Sequence, residues 1–176
     1  MKKLTAIILT AALLLTSAFA LAETAAQTQI EKALALIGTF ASGDTELAAS
    51  LLDENYIQHN LAYGTGRDAF VGSVEYLASA PVKTTVNNIR AFEDGEYVFL
   101  QTVYNFAGAG EQVAFDIFRF DEDGKIAEHW DNLAALAEAN PSGHTQIDGT
   151  MELRADFGRM LPRLKQGRLQ QELLVK

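Results

Sequence analysis

Apolar residues recur every three or four positions from Thr28 to Ala41, where Ile30, Ala33, Leu34, Ile37 and Phe40 fall on one stripe and Gly43 stands where a helix should stop. This spacing predicts an amphipathic helix. Asp44 reads as the N-cap of a short second helix carrying Leu47, Leu51 and Leu52, which runs out near Asp53-Glu54-Asn55. The chain leaves it through Tyr56-Ile57-Gln58-His59-Asn60. A loop containing Gly64 and Gly66 then leads to a third helix, roughly Arg67 to Ser79, with Phe70, Val74 and Leu77 on one face and Pro81 closing it.

After Pro81 the period changes from helical to alternating, the mark of half-buried strands. Val82 to Ala91 alternates and is turned by Asp94-Gly95; Tyr97 to Phe106 is β-branched and aromatic and ends at Gly108-Ala109-Gly110. Gln112 to Phe120 is turned by Asp123-Gly124 into Lys125 to Leu133. Three consecutive hairpins predict an antiparallel meander. Helices first and then at least four antiparallel strands imply an α+β fold with the helices packed on one sheet face.

The ends change this picture. Met1-Lys2-Lys3, an apolar run from Leu4 to Leu15 and Ala20-Leu21-Ala22 before Glu23 have the order of a secretory signal peptide, with cleavage expected after Ala22 and a second A-x-A site at Ala18-Phe19-Ala20. The apolar core is shorter than the roughly 20 residues of a bilayer span, so no stable membrane anchor is expected. The expected location is periplasmic or secreted. The chain has no cysteine, so stability must come from a packed core in one domain, residues 23–150.

The formal charge is −9, and −11 once Lys2 and Lys3 leave with the leader, which disfavours nucleic acid and anionic lipid as partners. Residues 151–176 run the other way. Arg154, Arg159, Arg163, Lys165, Arg168 and Lys176 outnumber Glu152, Asp156 and Glu172, a local +3. Leu153, Phe157, Leu161 and Leu164 fall at helical spacing, so this tail reads as an amphipathic helix bent near Pro162 and packed on its own domain or on a second copy.

Candidate chemistry gathers in the last hairpin. With Asp123-Gly124 at the centre of a type I′ turn, Arg119 lies opposite Glu128 and Ile117 opposite Trp130 on one face, while Phe118 opposes His129 and Asp116 opposes Asp131 on the other. That second face collects two carboxylates, an imidazole and the rings of Phe118 and Phe120. Such groups are costly to bury unless they are fully paired or form a working pocket, and crowded carboxylates beside a histidine are the material of general acid–base catalysis. The plain alternative is a solvated face, or an Asp116 held by structural bonds beside a core histidine. A one-residue slip of the turn would exchange the faces and bring Glu128 and Trp130 inside.

His59, with Tyr56, Gln58 and Asn60 around it, is a candidate for the mouth of the same pocket, and reads equally as a loop residue bonded to a backbone carbonyl. His144 sits in a turn-rich stretch and reads as surface or lid. The three histidines are far apart with no i, i+4 pair, so no metal is expected. A nucleophile elbow, a phosphate loop and a dinucleotide fingerprint are all missing from the sequence, which leaves a cofactor-free pocket.

Two motifs carry a resemblance. Tyr56-Ile57-Gln58-His59-Asn60 followed by Gly66-Arg67-Asp68-Ala69-Phe70, and Asp116 to Phe120 followed by Asp123-Gly124-Lys125-Ile126 and Glu128-His129-Trp130-Asp131, resemble the SnoaL-like branch of the nuclear transport factor 2-like superfamily. The likeness extends over roughly Ile30 to Gly149 and includes the Asn140-Pro141 to Asp148-Gly149 stretch. It implies a cone in which a curved antiparallel sheet wraps a long helix and encloses one hydrophobic cavity, and sheets that often pair into homodimers.

The founding enzymes of this branch are polyketide cyclases, which close a ring by an aldol condensation with an acidic base and no cofactor. By resemblance Asp116, His129, Asp131 and His59 are the catalytic candidates, and Gln101, Phe118, Phe120, Tyr56 and Trp130 the ligand-binding ones. The sequence departs from the pattern at Gln101, where relatives often carry histidine. A glutamine can bond an enolate oxygen but cannot move a proton.

The expectation is an exported domain that binds a small, mostly apolar carbonyl compound, with aldol, isomerase or lyase chemistry in which Asp116 takes the proton alpha to the carbonyl and His129 or Gln101 steadies the enolate. The alternative is a non-catalytic binding or dimerisation module. Export itself argues against the founding reaction, which belongs where acyl chains are made.

Overall fold

A computed structural model describes residues 27–138 and 140–149. The expected leader, residues 1–22, and the tail, residues 151–176, lie outside them. Helix α1 (Gln29–Ser42) begins at a capping box, in which the Glu31 amide donates to the Thr28 hydroxyl and the Thr28 amide to the Glu31 carboxylate. It ends at Gly43, in the left-handed region at φ 75°, whose amide closes the last turn on the Thr39 carbonyl. A side chain here would be strained twice over, because a Cβ would also meet the Ala78 methyl at 2.7 Å. Helix α2 (Thr45–Leu51) is capped by Asp44 as expected.

The sequence expectation then fails. Instead of fraying near Asn55, the chain passes directly from α2 into an edge strand β1 (Leu52–Gln58), and only then to helix α3 (Arg67–Ser79). Strand β1 pairs parallel with the last strand, so the sheet is mixed rather than purely antiparallel. Its register shifts between Leu52 and Ile57, and Leu52 and Tyr56, four apart, are its only buried residues. A bulged edge strand carrying Asp53, Glu54 and Asn55 has no alternating pattern to read.

The meander is as expected, with shifted ends: β2 (Thr85–Asp94), β3 (Tyr97–Asn105), β4 (Gln112–Phe120) and β5 (Ile126–Ala135), in sheet order β1-β5-β4-β3-β2. The first hairpin turns on Gly95-Glu96, one residue later than expected, with Asp94 paired to Tyr97. The last turn is also different. Its loop spans Asp121 to Lys125, with the Gly124 amide donating to the Asp121 carbonyl and Gly124 at φ 70°. A bulge between Arg119 and Phe120 then restores the expected partners, so Asp116 still faces Asp131 and Phe118 faces His129.

The three helices lie on one face of this open five-stranded sheet and make an α+β cone. The core between the layers holds Leu36 and Ile37 from α1, Phe70 and Val74 from α3, and Val98, Leu100, Phe118 and Phe120 from the sheet. Among the described residues no helix is long and apolar enough to cross a membrane.

Candidate active site

The inward residues of β4 and β5 bring Asp116, His129 and Asp131 together on the helix-covered face of the sheet. Asp116 and His129 are 3% and 6% exposed, which makes their partners decisive. Gln58 Oε1 accepts the Asn60 amide at 3.0 Å and also lies 3.0 Å from His129 Nδ1. An oxygen that already accepts a backbone N–H is an acceptor, so His129 Nδ1 must carry a proton. His129 Nε2 then faces Asp116 Oδ1 at 3.3 Å, a contact along which a proton can pass between the two.

Tyr104 completes the set by donating its hydroxyl to Asp116 Oδ2 at 3.0 Å. Complete burial, and then the nearby Asp116 carboxylate, push the Tyr104 phenol well above its usual range, so it remains a donor. Tyr56 is raised by burial, with contributions from Asp131 and Asp116. Asn60 Nδ2 lies 2.8 and 2.6 Å from the two Asp131 oxygens, and its own carbonyl accepts the Ala62 amide, which fixes the amide orientation. Phe118 stacks on the His129 ring at 4.4 Å and holds its plane.

These groups line an inner cavity of about 30 Å³, walled by Ile37 and Phe40 of α1, Phe70 of α3, and Tyr104, Phe106 and Phe118. That is room for a water or two. Outside it lies a cleft of about 480 Å³, and Asn60, Tyr63, Phe106, Asp131 and Leu133 border both spaces. The expected single cavity is thus a floor and a vestibule, of which the vestibule has the size of a small-molecule site. Burial, and then Asp131, raise the Tyr63 phenol, which keeps it a donor on the shared wall.

One ligand atom from each of Asp116, His129 and Asp131, the set that the hairpin register brings to one face, lies within 4.8 Å of the others. It is the only group among the described residues that can hold a metal ion. Ligands about 2.1 Å from one ion stand roughly 3.4 Å apart, so the set would have to close and release bonds to Tyr104 and Asn60.

A family model for the SnoaL-like domain matches residues 33–129. The chain belongs to this family. No curated protein matches it closely enough in sequence to count as a relative. Its fold recurs in solved structures. An NTF2-like protein of unknown function from Cytophaga hutchinsonii is 18% identical, with 61% of this chain and 90% of that one covered at a TM-score of 0.52. An LEH-like epoxide hydrolase of M. tuberculosis is 15% identical, with 60% and 82% covered at 0.53. A candidate polyketide cyclase from Bacillus cereus is 17% identical, with 60% and 73% covered at 0.51. At such identities the likeness is one of fold alone.

Within this SnoaL-like frame the expected site residues separate. Asp116, His129, Asp131 and Phe118 converge on the inner cavity. Phe120 and Tyr56 are buried in the core beside it, Tyr56 edge-on to Phe70 at 5.9 Å. Gln101 is not a ligand-facing residue, because alternation along β3 turns it to the outer face, where its amide donates to the Gln146 carbonyl and it pairs with Arg90.

Trp130 is on the outer face for the same reason, and His59 is stacked on it at 4.9 Å with its Nε2 2.8 Å from Glu128. His59 therefore touches only the rim of the vestibule and none of the acids below. Of the partners that hold the site, Gln58 and Asn60 enter the sequence reading only as neighbours of His59 at the pocket mouth, and Tyr63 and Tyr104 do not enter it. Asn60 and Gln58 had a signal in the polar run after Tyr56, whereas Tyr63 and Tyr104 had none.

The rim cluster gives a pH prediction. Glu128 is held below its ordinary 4.5, first by the bond from His59 and then by Arg119, with burial opposing. Because its folded-state proton affinity is depressed, its contribution to stability is present above about pH 4.5 and is lost as pH falls through the folded value. Glu128→Gln is expected to flatten the fall in the urea midpoint below about pH 5, and an unchanged acid limb would contradict this role.

Proposed function

We propose that this SnoaL-like domain is exported and that its cleft takes a small, mostly apolar carbonyl compound, on which the buried acids carry out cofactor-free proton transfer. The observation that carries the reading is the Asp116–His129 pair, whose imidazole is fixed by Gln58 with Nδ1 protonated and Nε2 turned to the carboxylate. A proton passed between two such groups can be delivered or accepted without reorganising the site. Among the described residues no Lys or Arg lines the cavity or the vestibule, which suits a neutral ligand better than an anion.

A ligand in the vestibule meets Asp131 and Tyr63 first, since both border the two spaces. In the proposed reaction its carbonyl oxygen accepts from the Tyr63 hydroxyl, the Asp116 carboxylate takes the α-proton, and the C–H electron pair becomes the enolate. The proton returns to carbon or oxygen when the enolate collapses. Tyr63 thereby takes the enolate-steadying part expected from sequence of His129 or Gln101.

One observation favours a second reading. Both oxygens of Asp116 already have partners and the inner cavity has room for little more than water, as a binding module without chemistry would require. Binding is tested apart from chemistry with acetophenone as probe. In excess it is expected to raise the unfolding midpoint, by about 2.7 kcal/mol in stability at a hundred times its dissociation constant. Ala62→Trp, at an exposed position bordering only the vestibule, is expected to remove that rise. A midpoint indifferent to acetophenone, or a rise that survives Ala62→Trp, would contradict a vestibule site.

A further inference from the structure

The outer face of the sheet carries an apolar band whose only cover among the described residues is the His59 ring stacked on Trp130 at one end. Phe92, Phe99, Ile117 and Trp130 are successive cross-strand partners from β2 to β5, with Phe92 stacked on Phe99 at 5.5 Å. Phe115 and Ile57 flank the band, and Phe92, Phe115 and Ile57 are 50%, 59% and 42% exposed. An outward row of this size marks an interaction surface rather than scattered exposed residues.

The next row shows what this face accepts. There Arg90 and Gln101 hold the chain's own late segment. One Arg90 nitrogen donates to the carbonyls of Ile147, Asp148 and Gly149 at 3.3, 2.6 and 2.8 Å, and Gln101 donates to that of Gln146 at 2.9 Å. The chain is therefore pinned to the outer face at Gly149, one row from the band, with residues 150–176 still to come.

From these positions we infer that the band is the docking site of the protein's own tail, through Leu153, Phe157 and Leu161. These three recur four apart, and the interval from the first to the last is about 12 Å at helical rise. The band spans three interstrand gaps, about 14 Å. Three residues separate Gly149 from Leu153, so the tail reaches the band without a long linker. Charge points the same way. Residues 23–150 hold six Lys and Arg against twenty Asp and Glu, so a second copy would bring two strongly acidic domains together, whereas the tail carries +3.

Trp130 lies in the band and is the only tryptophan, so its indole reports on the cover. The experiment compares acrylamide quenching of the full chain as expressed with that of the Phe157→Glu/Leu161→Glu variant, with the mass of each followed by sedimentation across protein concentrations. A docked tail predicts a monomer whose shielding is independent of concentration, and a quenching constant that rises at least about twofold in the variant as the band loses its cover. Equal quenching in the two proteins overturns the inference. So does shielding that grows with concentration, which would assign the face to a second copy. Phe115→Lys gives an independent reading from the other side: it should speed tryptic cleavage after Arg154 and Arg159 at least about twofold if the tail is docked, and unchanged cleavage overturns the inference.

Discussion

His129→Leu is expected to destabilise the protein by about 3–5 kcal/mol at neutral pH, the usual cost of leaving one member of a buried pair without its partner. The imidazole is 6% exposed and serves two neighbours at once, Gln58 through Nδ1 and Asp116 through Nε2. Leucine fills much of the volume but satisfies neither. Asp116 would keep only the Tyr104 hydroxyl, in a site where its other oxygen faces methyl groups. Because the loss comes from the orphaned carboxylate, Asp116→Leu in the same protein should recover part of it. Urea unfolding of the two single variants and the double variant measures this coupling. Additive losses would mean that the two side chains do not act as a pair.

Asp116→Asn should separate stability from chemistry. A carboxamide has the same shape, so its oxygen can accept from Tyr104 and its nitrogen can donate to His129 Nε2, while Nδ1 stays on Gln58. The unfolding midpoint should therefore stay close to that of the parent. Proton transfer should not survive, because an amide can neither take nor give the proton. A loss of about 10²–10⁴ in rate is the usual contribution of a positioned acid or base. Retained activity in this variant would remove Asp116 from the reaction, and a large fall in midpoint would make it structural.

Sequence carried most of the fold because the patterns that betray a fold were intact in most elements. Helices α1 and α3 keep one apolar stripe, and the Thr28, Gly43 and Asp44 signals fall where helix ends need them. Strand β1 was invisible because an edge strand with a bulge buries only Leu52 and Tyr56, and its polar residues read as a helix end. The last hairpin was read with the correct partners from an incorrect turn. A five-residue loop and a bulge between Arg119 and Phe120 cancel, so the face that holds Asp116 and His129 came out right.

The candidate site was legible only where residues were neighbours across that hairpin. Asp116, Phe118, His129 and Asp131 meet through register, which a sequence can give. Gln101 is misplaced as a ligand contact because family likeness ignores the alternation of β3, whereas the hairpin register itself already sets Trp130 on the face away from Asp116. Trp130 opposes Ile117 on the outward face, and Gln101 opposes Phe115 there. Tyr104, Tyr63 and Asn60 reach the site from β3 and from the segment after β1. Contacts between elements so distant in sequence leave no local pattern.

The central claim, that the floor of this cleft moves a proton on and off a carbonyl compound, is tested most directly by deuterium exchange. Acetophenone in D₂O, followed by NMR at neutral pH, should lose its methyl proton signal faster with the protein than in buffer alone, and Asp116→Asn should return the rate to that of buffer. If acetophenone raises the unfolding midpoint of the parent protein and its methyl protons still exchange no faster than in buffer, the cleft binds without catalysing and the account of its chemistry is wrong.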